Sequence, residues 1–131
     1  EVNMIKYNKE LLKGTTPMLV LTLLSTKDMY GYEIIKKMEE ISNYSLSVKQ
    51  GSLYPILHNL EEDGCLVAYW EETNSDRKKK FYHITDLGLK KLDYLINEWN
   101  HYSESIYSVI NRKKIYDWKF KKVSGGNYIW G

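Results

Sequence analysis

The spacing of hydrophobic positions predicts two short helices near the start of the chain. Thr16 and Pro17 fit the N-cap and first position of a helix that runs to about Thr26, because a proline at a helix start loses no hydrogen bond. A second helix is predicted from Gly31, with charged residues on its other faces. Its apolar stripe, at i, i+4 and i+7, consists of Ile34, Met38 and Ile41.

A third helix follows, and the pattern allows two starts for it. Ser47 and Gln50 have the spacing of a capping box, in which each side chain bonds a backbone N–H at the helix start. That start makes Pro55 bend the helix, whereas a start at Ser52 places Pro55 in the first turn. Gly64 is predicted to end the helix in a left-handed conformation. The apolar stripe consists of Leu53, Leu57 and Leu60.

The pattern then changes from helical to extended. Residues 66–71 and 79–84 are rich in β-branched and aromatic side chains and flank a polar stretch, which predicts a β-hairpin with a charged tip. Thr85 and Asp86 resemble the start of a further, long helix. This order of elements is typical of a winged helix-turn-helix, which places the second helix of its pair in the DNA major groove. The predicted fold class is α+β, mostly α, with a long C-terminal dimerisation helix.

The long helix carries a broad apolar face. Its apolar residues recur at intervals of three and four, the spacing of a coiled-coil seam, with Ser103 as a polar gap. A second row at intervals of seven, formed by Leu95, Tyr102, Val109 and Tyr116, widens this face. Such a face exceeds what one small core can cover, so we expect a second copy to pack against it. The predicted dimer interface comprises Leu89, Leu92, Ile96, Trp99, Ile106 and Ile110.

Charge adds a candidate partner. The net charge of the 131 residues is only +2 at pH 7, but four consecutive cations occupy positions 77–80, at the predicted hairpin tip. A second basic segment, 112–122, holds six cations against Asp117. Concentrated basic residues favour nucleic acid as a partner. The tail, residues 117–131, is predicted either to lack order or to form a small hairpin around its Gly-Gly pair.

No motif for catalysis or metal binding occurs in the sequence. His58, His83 and His101 lie on three different predicted elements, and neither an HExxH-type motif nor a glycine-rich phosphate loop is present. Cys65 is the single cysteine, which excludes an intramolecular disulfide and suits a small buried hydrophobe. We therefore expect no enzyme activity, cofactor or metal. Since apolar stretches are far shorter than the ~20 residues of a membrane span, we expect a cytoplasmic protein without a membrane partner.

Three linked motifs resemble the PadR-like family of transcriptional regulators. They are Gly31-Tyr32-Glu33-Ile34, then Gly51-Ser52-Leu53-Tyr54-Pro55-Ile56-Leu57 with Leu60-Glu61 and Gly64, then Arg77-Lys78 with Tyr82, Thr85 and Gly88. The resemblance covers roughly residues 11 to 110. It implies a homodimeric repressor that binds a palindromic operator, of the short branch with one C-terminal helix. The implied organisation is a DNA-binding domain over 4–85, a dimerisation helix over 86–116 and a tail over 117–131.

Two groups of residues are candidates for DNA contact. Side chains at the start of the third helix offer donors to base edges and phosphates, and Gln50 suits bidentate reading of adenine. Cations at the hairpin tip would reach backbone phosphate or the minor groove. The predicted DNA-binding residues are Lys49, Gln50, Ser52, Tyr54, Arg77, Lys78 and Lys79.

A ligand site is implied by similarity to the multidrug-sensing members of the family. Trp99 falls where those members carry a tryptophan that stacks planar ligands at the dimer centre, and a planar aromatic or cationic ligand would fit there. The predicted ligand-binding residues are Ile96, Trp99, Tyr102, Ser103 and Ile106. Two alternatives stay open: Trp99 as plain dimer core, and a winged helix that binds another protein without specific DNA binding.

Overall fold

A computed structural model describes residues 7–74 and 77–112 of the chain. These residues form four helices and a three-stranded antiparallel sheet in the strand order β1-β3-β2. The chain divides into two compact units, residues 1–95 and residues 96–131. The elements are α1 (Lys9–Leu24), β1 (Met29–Tyr30), α2 (Gly31–Ile41), α3 (Gln50–Glu62), β2 (Leu66–Glu72), β3 (Lys78–Ile84) and α4 (Asp86–Ile110).

The first helix begins earlier than predicted. Asn8 is the N-cap, and its side-chain oxygen accepts a hydrogen bond from the N–H of Glu10 at 2.8 Å. The prediction that Thr16 caps the helix is therefore wrong, and Pro17 lies inside it. The Thr16 hydroxyl is buried and donates to the carbonyl of Leu12, a bond that threonine makes readily within a helix. A threonine–proline pair can therefore lie inside a helix as well as at its start.

The second helix begins at Gly31, as predicted, but its buried face is shifted. Ile34 and Met38 are buried as expected, whereas Ile41 is 68% exposed and Ile35 is buried. The prediction for Ile41 is wrong because the helix ends there. Ser42 is the C-cap, and Asn43 and Tyr44 follow with φ of 52° and 65°, in the left-handed region, so the chain leaves the helical path just after Ile41.

The third helix begins at neither of the two predicted serines. Its N-cap is Lys49, which makes no capping bond with its side chain, and the helix starts at Gln50. The Ser47 hydroxyl instead donates to the carboxylate of Glu39 on α2 at 3.1 Å, so the capping box does not form. Pro55 lies inside the helix. The apolar stripe is buried as predicted and consists of Leu53, Leu57 and Leu60.

Gly64 ends the third helix as predicted. Its φ is 79°, and the N–H of Cys65 bonds the carbonyl of Leu60 at 2.8 Å, which closes the last turn. Cys65 is buried, and burial raises the pKa of its thiol. Both features agree with its predicted role as a small hydrophobe.

The hairpin forms at the predicted place, and a short strand joins it. β2 and β3 pair in a continuous register from Leu66 opposite Ile84 to Glu72 opposite Lys78. We name this hairpin the wing. β1 pairs with β3 on its other side, with Met29 opposite Tyr82. Sequence reasoning missed β1, because two residues are too few to show an alternating pattern.

Thr85 caps the start of α4, as predicted. Its hydroxyl oxygen accepts from the N–H of Gly88 at 3.1 Å and donates to the carbonyl of Gly64 at 2.6 Å. Gly88 lies so close to the Cys65 carbonyl that a Cβ would clash with it. The described part of α4 ends at Ile110. The predicted end of this helix at residue 116 and the tail, 117–131, lie outside the described residues.

One hydrophobic core occupies the first unit. It combines residues from α1, α2, α3 and the sheet with Leu92 from the first half of α4. The largest fully buried side chains include Leu21, Leu24, Met29, Ile34, Leu53, Leu57 and Leu66. Among the described helices, none is long and apolar enough to cross a membrane.

Candidate nucleic-acid interface

An open cleft of about 610 Å³ separates the start of α3 from the wing. α3 contributes Gln50 and Tyr54 to it, and β3 contributes three consecutive lysines. The start of α2 adjoins the same space, so three elements of the winged helix meet there. The cleft is lined by Tyr30, Gly31, Tyr32, Gln50, Tyr54, Trp70, Lys78, Lys79, Lys80 and Tyr82.

Contact with Gly31 sets the position of Tyr54. A Cβ on Gly31 would lie 2.7 Å from the Tyr54 hydroxyl oxygen and 2.9 Å from two ring carbons. Tyr54 nevertheless remains 44% exposed. Its side chain therefore packs against α2 with one side and faces the cleft with another.

The other predicted α3 residues lie at the same end of the helix. Gln50 lines the cleft, while Lys49 and Ser52 are exposed on neighbouring positions outside its lining. The first turn of α3 has no acidic residue and no side-chain cap, so the N–H groups of Gln50 and Gly51 and these side chains are available as donors, whereas the N–H of Ser52 bonds the carbonyl of Lys49 at 3.0 Å. Such an arrangement suits an anionic partner.

The wing lysines differ in their surroundings. Lys78 and Lys79 lie opposite Glu72 and Glu71 in the register. The Nζ of Lys79 lies 5.2 Å from the centre of the Tyr30 ring, within cation–π range. Arg77 is exposed at the base of the turn, and residues 75 and 76 at its tip lie outside the described residues.

Lys80, which the sequence analysis did not select, connects the wing to α3. Its Nζ lies 3.7 Å from a carboxylate oxygen of Glu61 and 5.5 Å from the centre of the Tyr82 ring. Trp70 and Tyr32 also line the cleft and were missed. Strand alternation would have placed Trp70 on the same face as Ala68, but only the folded chain shows that it lies opposite Lys80 and beside the cleft.

The outer face of the sheet carries a separate polar cluster around Asp28. The Tyr69 hydroxyl donates to one carboxylate oxygen of Asp28 at 2.7 Å, and Nδ1 of His83 lies 2.8 Å from the other. Burial disfavours the charged form of Asp28, but the bonds from Tyr69 and His83 outweigh it and lower the pKa. The hydrogen bond to Asp28 raises the pKa of Tyr69 to about 12. The Tyr69 ring stacks on Phe81, with 5.7 Å between ring centres.

The second unit presents an exposed apolar face on α4. Five members of the predicted ligand site and dimer interface are exposed there: Ile96, Trp99, Tyr102, Ile106 and Ile110. The rings of Trp99 and Tyr102 lie 6.5 Å apart. The Ser103 hydroxyl oxygen is buried and has no hydrogen-bond partner among the residues described.

The two earlier members of the predicted interface lie in the first unit and differ from each other. Leu89 is 45% exposed, whereas Leu92 is 8% exposed and belongs to the winged-helix core. One copy of the chain therefore already covers most of Leu92, and its place in the dimer interface stays a prediction.

Comparison with known proteins decides the family. Residues 20–94, which include α2, α3 and the whole wing, match the family model described as the transcriptional regulator PadR-like family. The chain belongs to this family. The resemblance seen in the sequence is thereby confirmed, and this PadR-like chain is a transcriptional regulator rather than an enzyme.

Individual relatives agree with this assignment. An uncharacterized protein of Lysinibacillus sphaericus is 33% identical over 97 residues, which cover 74% of this chain and 89% of the relative. A transcriptional regulator from Clostridium thermocellum has a similar structure, with a TM-score of 0.72 and 27% identity over 76% of this chain and 97% of that chain. A PadR-like regulator from Bacillus cereus reaches a TM-score of 0.68 at 27% identity, covering 80% of this chain and all of its own (100%).

Proposed function

We propose that this PadR-like regulator is a homodimeric repressor that binds a palindromic operator. The observation that carries the proposal is the cleft, because donors from α3 and lysines from the wing line one surface. An α-helix fits the major groove of B-DNA, which is about 12 Å wide, and a neighbouring hairpin then reaches the adjacent backbone and minor groove.

In this proposal the start of α3 reads the operator. The side-chain amide of Gln50 bonds the edge of an adenine, with its oxygen accepting from N6 and its NH2 donating to N7, and Ser52 and Tyr54 donate to neighbouring bases or phosphates. Lys49 binds a phosphate. Since Tyr54 packs against Gly31, its hydroxyl is held in a fixed direction, and DNA binding then costs little side-chain entropy.

The wing supplies binding that does not depend on sequence. Arg77, Lys78 and Lys79 contact phosphates or the minor groove and release the cations condensed on DNA. The nearby Glu71 and Glu72 offset part of this charge, which limits attraction to unrelated DNA. Specific recognition therefore depends on α3.

The α4 face of the second unit supplies the dimer interface. Ile96, Trp99, Ile106 and Ile110 all keep about two fifths of their surface exposed, at 38%, 43%, 40% and 42%. Burial against the same face of a second copy removes this apolar surface from water. A dimer also places two recognition helices for half-sites about 34–36 Å apart.

A ligand at this interface would release the repressor. Trp99 and its counterpart in a second copy form two flat walls, with Ile96, Tyr102, Ser103 and Ile106 beside them. A planar aromatic or cationic ligand stacks between the walls. The Ser103 hydroxyl oxygen is buried within one copy and has no hydrogen-bond partner among the described residues, so its side chain has to rotate before a ligand atom can bond it. A shift of the two long helices then changes the spacing of the recognition helices.

The test is a gel-shift titration against the DNA upstream of the protein's own gene, with unrelated competitor DNA at physiological salt. We expect the protein to stay bound to one site in the presence of the competitor. At that site it should protect a palindrome from nuclease. If binding disappears with competitor while the dimer persists, the protein-interaction module becomes the better hypothesis.

A further inference from the structure

The cleft has a feature that wing cations do not explain: half of its lining is aromatic. Five of its ten lining residues are Tyr or Trp, contributed by β1, α2, α3, β2 and β3. Trp70 is 66% exposed and Tyr32 48% exposed, although both side chains carry large apolar surfaces. Trp70 lies opposite Lys80 in the register of the wing and lines the open cleft.

We propose that one sugar–phosphate strand of the DNA lies in this cleft, and that Trp70 and Tyr32 bind it by contacts without net charge. The proposal rests on the function proposed above. It assigns a role to two residues that neither the sequence analysis nor the comparisons select.

The geometry of the duplex gives the first argument. In B-DNA a single sugar–phosphate strand separates the major groove from the adjacent minor groove. If α3 occupies the major groove and the wing reaches into the minor groove, that strand has to pass between α3 and the wing. The cleft is the open space between these two elements.

The charge of the cleft gives the second argument. Lys80 is paired with Glu61 at 3.7 Å, and Lys78 and Lys79 lie opposite acidic residues in the register. The lysines that line the cleft therefore act with part of their charge already offset. Hydrogen bonds and apolar contacts must supply a share of the affinity for a strand in this position.

The chemistry of the two side chains fits such a strand. The indole ring of Trp70 offers an apolar face to deoxyribose and an N–H donor to a phosphate oxygen. The Tyr32 hydroxyl is a second donor, and the Nζ of Lys36 lies 5.5 Å from the centre of its ring. Most direct hydrogen bonds from proteins to DNA go to phosphate and sugar, so these contacts add affinity without adding sequence preference.

Salt dependence separates this role from that of the lysines. Uncharged contacts release no condensed counterions, whereas each phosphate neutralised by a lysine contributes to the slope of affinity against salt. We expect Trp70→Ala to weaken binding to the operator and to unrelated duplex by the same factor, on the order of tenfold, with an unchanged salt slope. Tyr32→Phe loses one hydrogen bond and should weaken both about threefold to tenfold.

Val67→Ala is the matched control, because Val67 is a half-exposed residue on the opposite face of the same strand. It should leave both affinities unchanged. Trp70→Phe keeps an aromatic face without the N–H and should lie between wild type and alanine. Equal affinities for wild type and Trp70→Ala would overturn the proposal while leaving the repressor function intact. A wild type that binds no duplex at all would overturn both.

A direct measurement uses the intact protein labelled with 5-fluorotryptophan. The 19F resonance of Trp70 is identified by its loss in Trp70→Phe. We expect this resonance to shift when unrelated duplex is added at low salt, with the Trp99 resonance unmoved at that step. An unmoved Trp70 resonance under saturating duplex means that no strand lies in the cleft.

Discussion

Tyr54 packs against Gly31 more closely than any larger residue at position 31 would allow. A Cβ at this position would lie 2.7 Å from the Tyr54 hydroxyl oxygen, and the nearest ring carbons would be 2.9 Å away. The φ of Gly31 does not lie in the left-handed region, so its backbone conformation does not require glycine. The close contact with Tyr54 does. The contact also joins α2 to α3, the two helices that line the cleft.

Gly31→Ala should therefore displace the Tyr54 ring. We expect a loss of about 1–3 kcal/mol in the free energy of unfolding, the usual cost of overpacking, together with weaker operator binding. The same substitution in a Tyr54→Ala background should cost far less, because the clashing ring is gone. Urea denaturation of the four proteins measures this coupling. Gly14→Ala is the control, since a Cβ there has nothing within 4 Å. Equal losses in both backgrounds would show that the contact is unimportant.

The wing cations should determine the salt dependence of DNA binding. Replacing Arg77, Lys78 and Lys79 together by alanine should weaken binding at every sequence and reduce the slope of log affinity against log salt by as much as about 2 to 3 units. Fluorescence anisotropy with operator and unrelated duplex at several salt concentrations measures the slope. A control protein with Lys9, Lys90 and Lys91 replaced loses the same charge outside the proposed interface. An unchanged slope in the wing variant argues against wing contact.

The Asp28 cluster should make part of the stability depend on pH. The pKa of Asp28 is lowered in the folded protein, so its contribution is present above the unfolded value of about 3.9 and is lost as the pH falls through the folded value. Tyr69→Phe removes one of the two bonds to the carboxylate. We expect a small loss of stability at neutral pH, about 0.5 kcal/mol for so exposed a bond, that shrinks below about pH 4.

At alkaline pH the contribution of the Tyr69–Asp28 bond to stability decreases as the pH rises, the opposite of its dependence in acid. The pKa of Tyr69 is raised to about 12, so the contribution of its hydroxyl is complete below about pH 10, its unfolded value, and is lost as the pH rises toward 12. Thermal unfolding of wild type and Tyr69→Phe across the pH range checks both the acid and the alkaline prediction. A stability difference that stays constant below pH 4 contradicts the assignment of this bond to the ionised carboxylate.

The elements that the sequence predicted correctly are those with local signals. Thr85 before α4 and Gly64 after α3 act through their own side-chain and backbone chemistry, and both stand where the pattern placed them. The predicted start of α3 was wrong because it depends on a contact between two helices rather than on a local signal. Ser47 has a local partner in the capping box, but Glu39 on another helix takes its hydroxyl. Tertiary contacts decide such cases, and spacing along the chain does not contain them.

The residues of the candidate site likewise divide into those with a local sequence signal and those that only the fold brings together. Residues near the start of α3 and the basic run of β3 were selected from the sequence, because a predicted helix start and a run of charges are visible there. Trp70 and Tyr32 were not, since only the folded chain brings α2, β2 and α3 to one cleft. Leu92 was predicted to face a second copy, and only the fold shows that the core of its own chain covers most of it.

The exposed face of the second unit should hold two copies of the chain together. Charge placed in a dimer interface is costly to bury, so Ile106→Glu should shift the protein toward monomer in sedimentation velocity. Tyr107→Glu is the control, because Tyr107 is 63% exposed and lies off both apolar rows of the helix. A monomer in the control as well would indicate general damage to α4. A persistent Ile106→Glu dimer would mean that this face does not form the interface.

Trp99 should report ligand binding separately from DNA binding. Planar cationic dyes stacked against its ring quench its fluorescence, so Trp99→Ala should abolish the saturable quenching and leave operator affinity within about twofold of wild type. Ser103→Ala removes the unpartnered hydroxyl and should weaken only ligands that carry a hydrogen-bonding group. Trp70→Phe serves as the control for quenching, since Trp70 lies in the DNA cleft. If quenching survives in Trp99→Ala, the dye binds elsewhere and Trp99 is core of the dimer. If quenching and operator binding are lost together, Trp99 acts through the dimer itself rather than through a ligand.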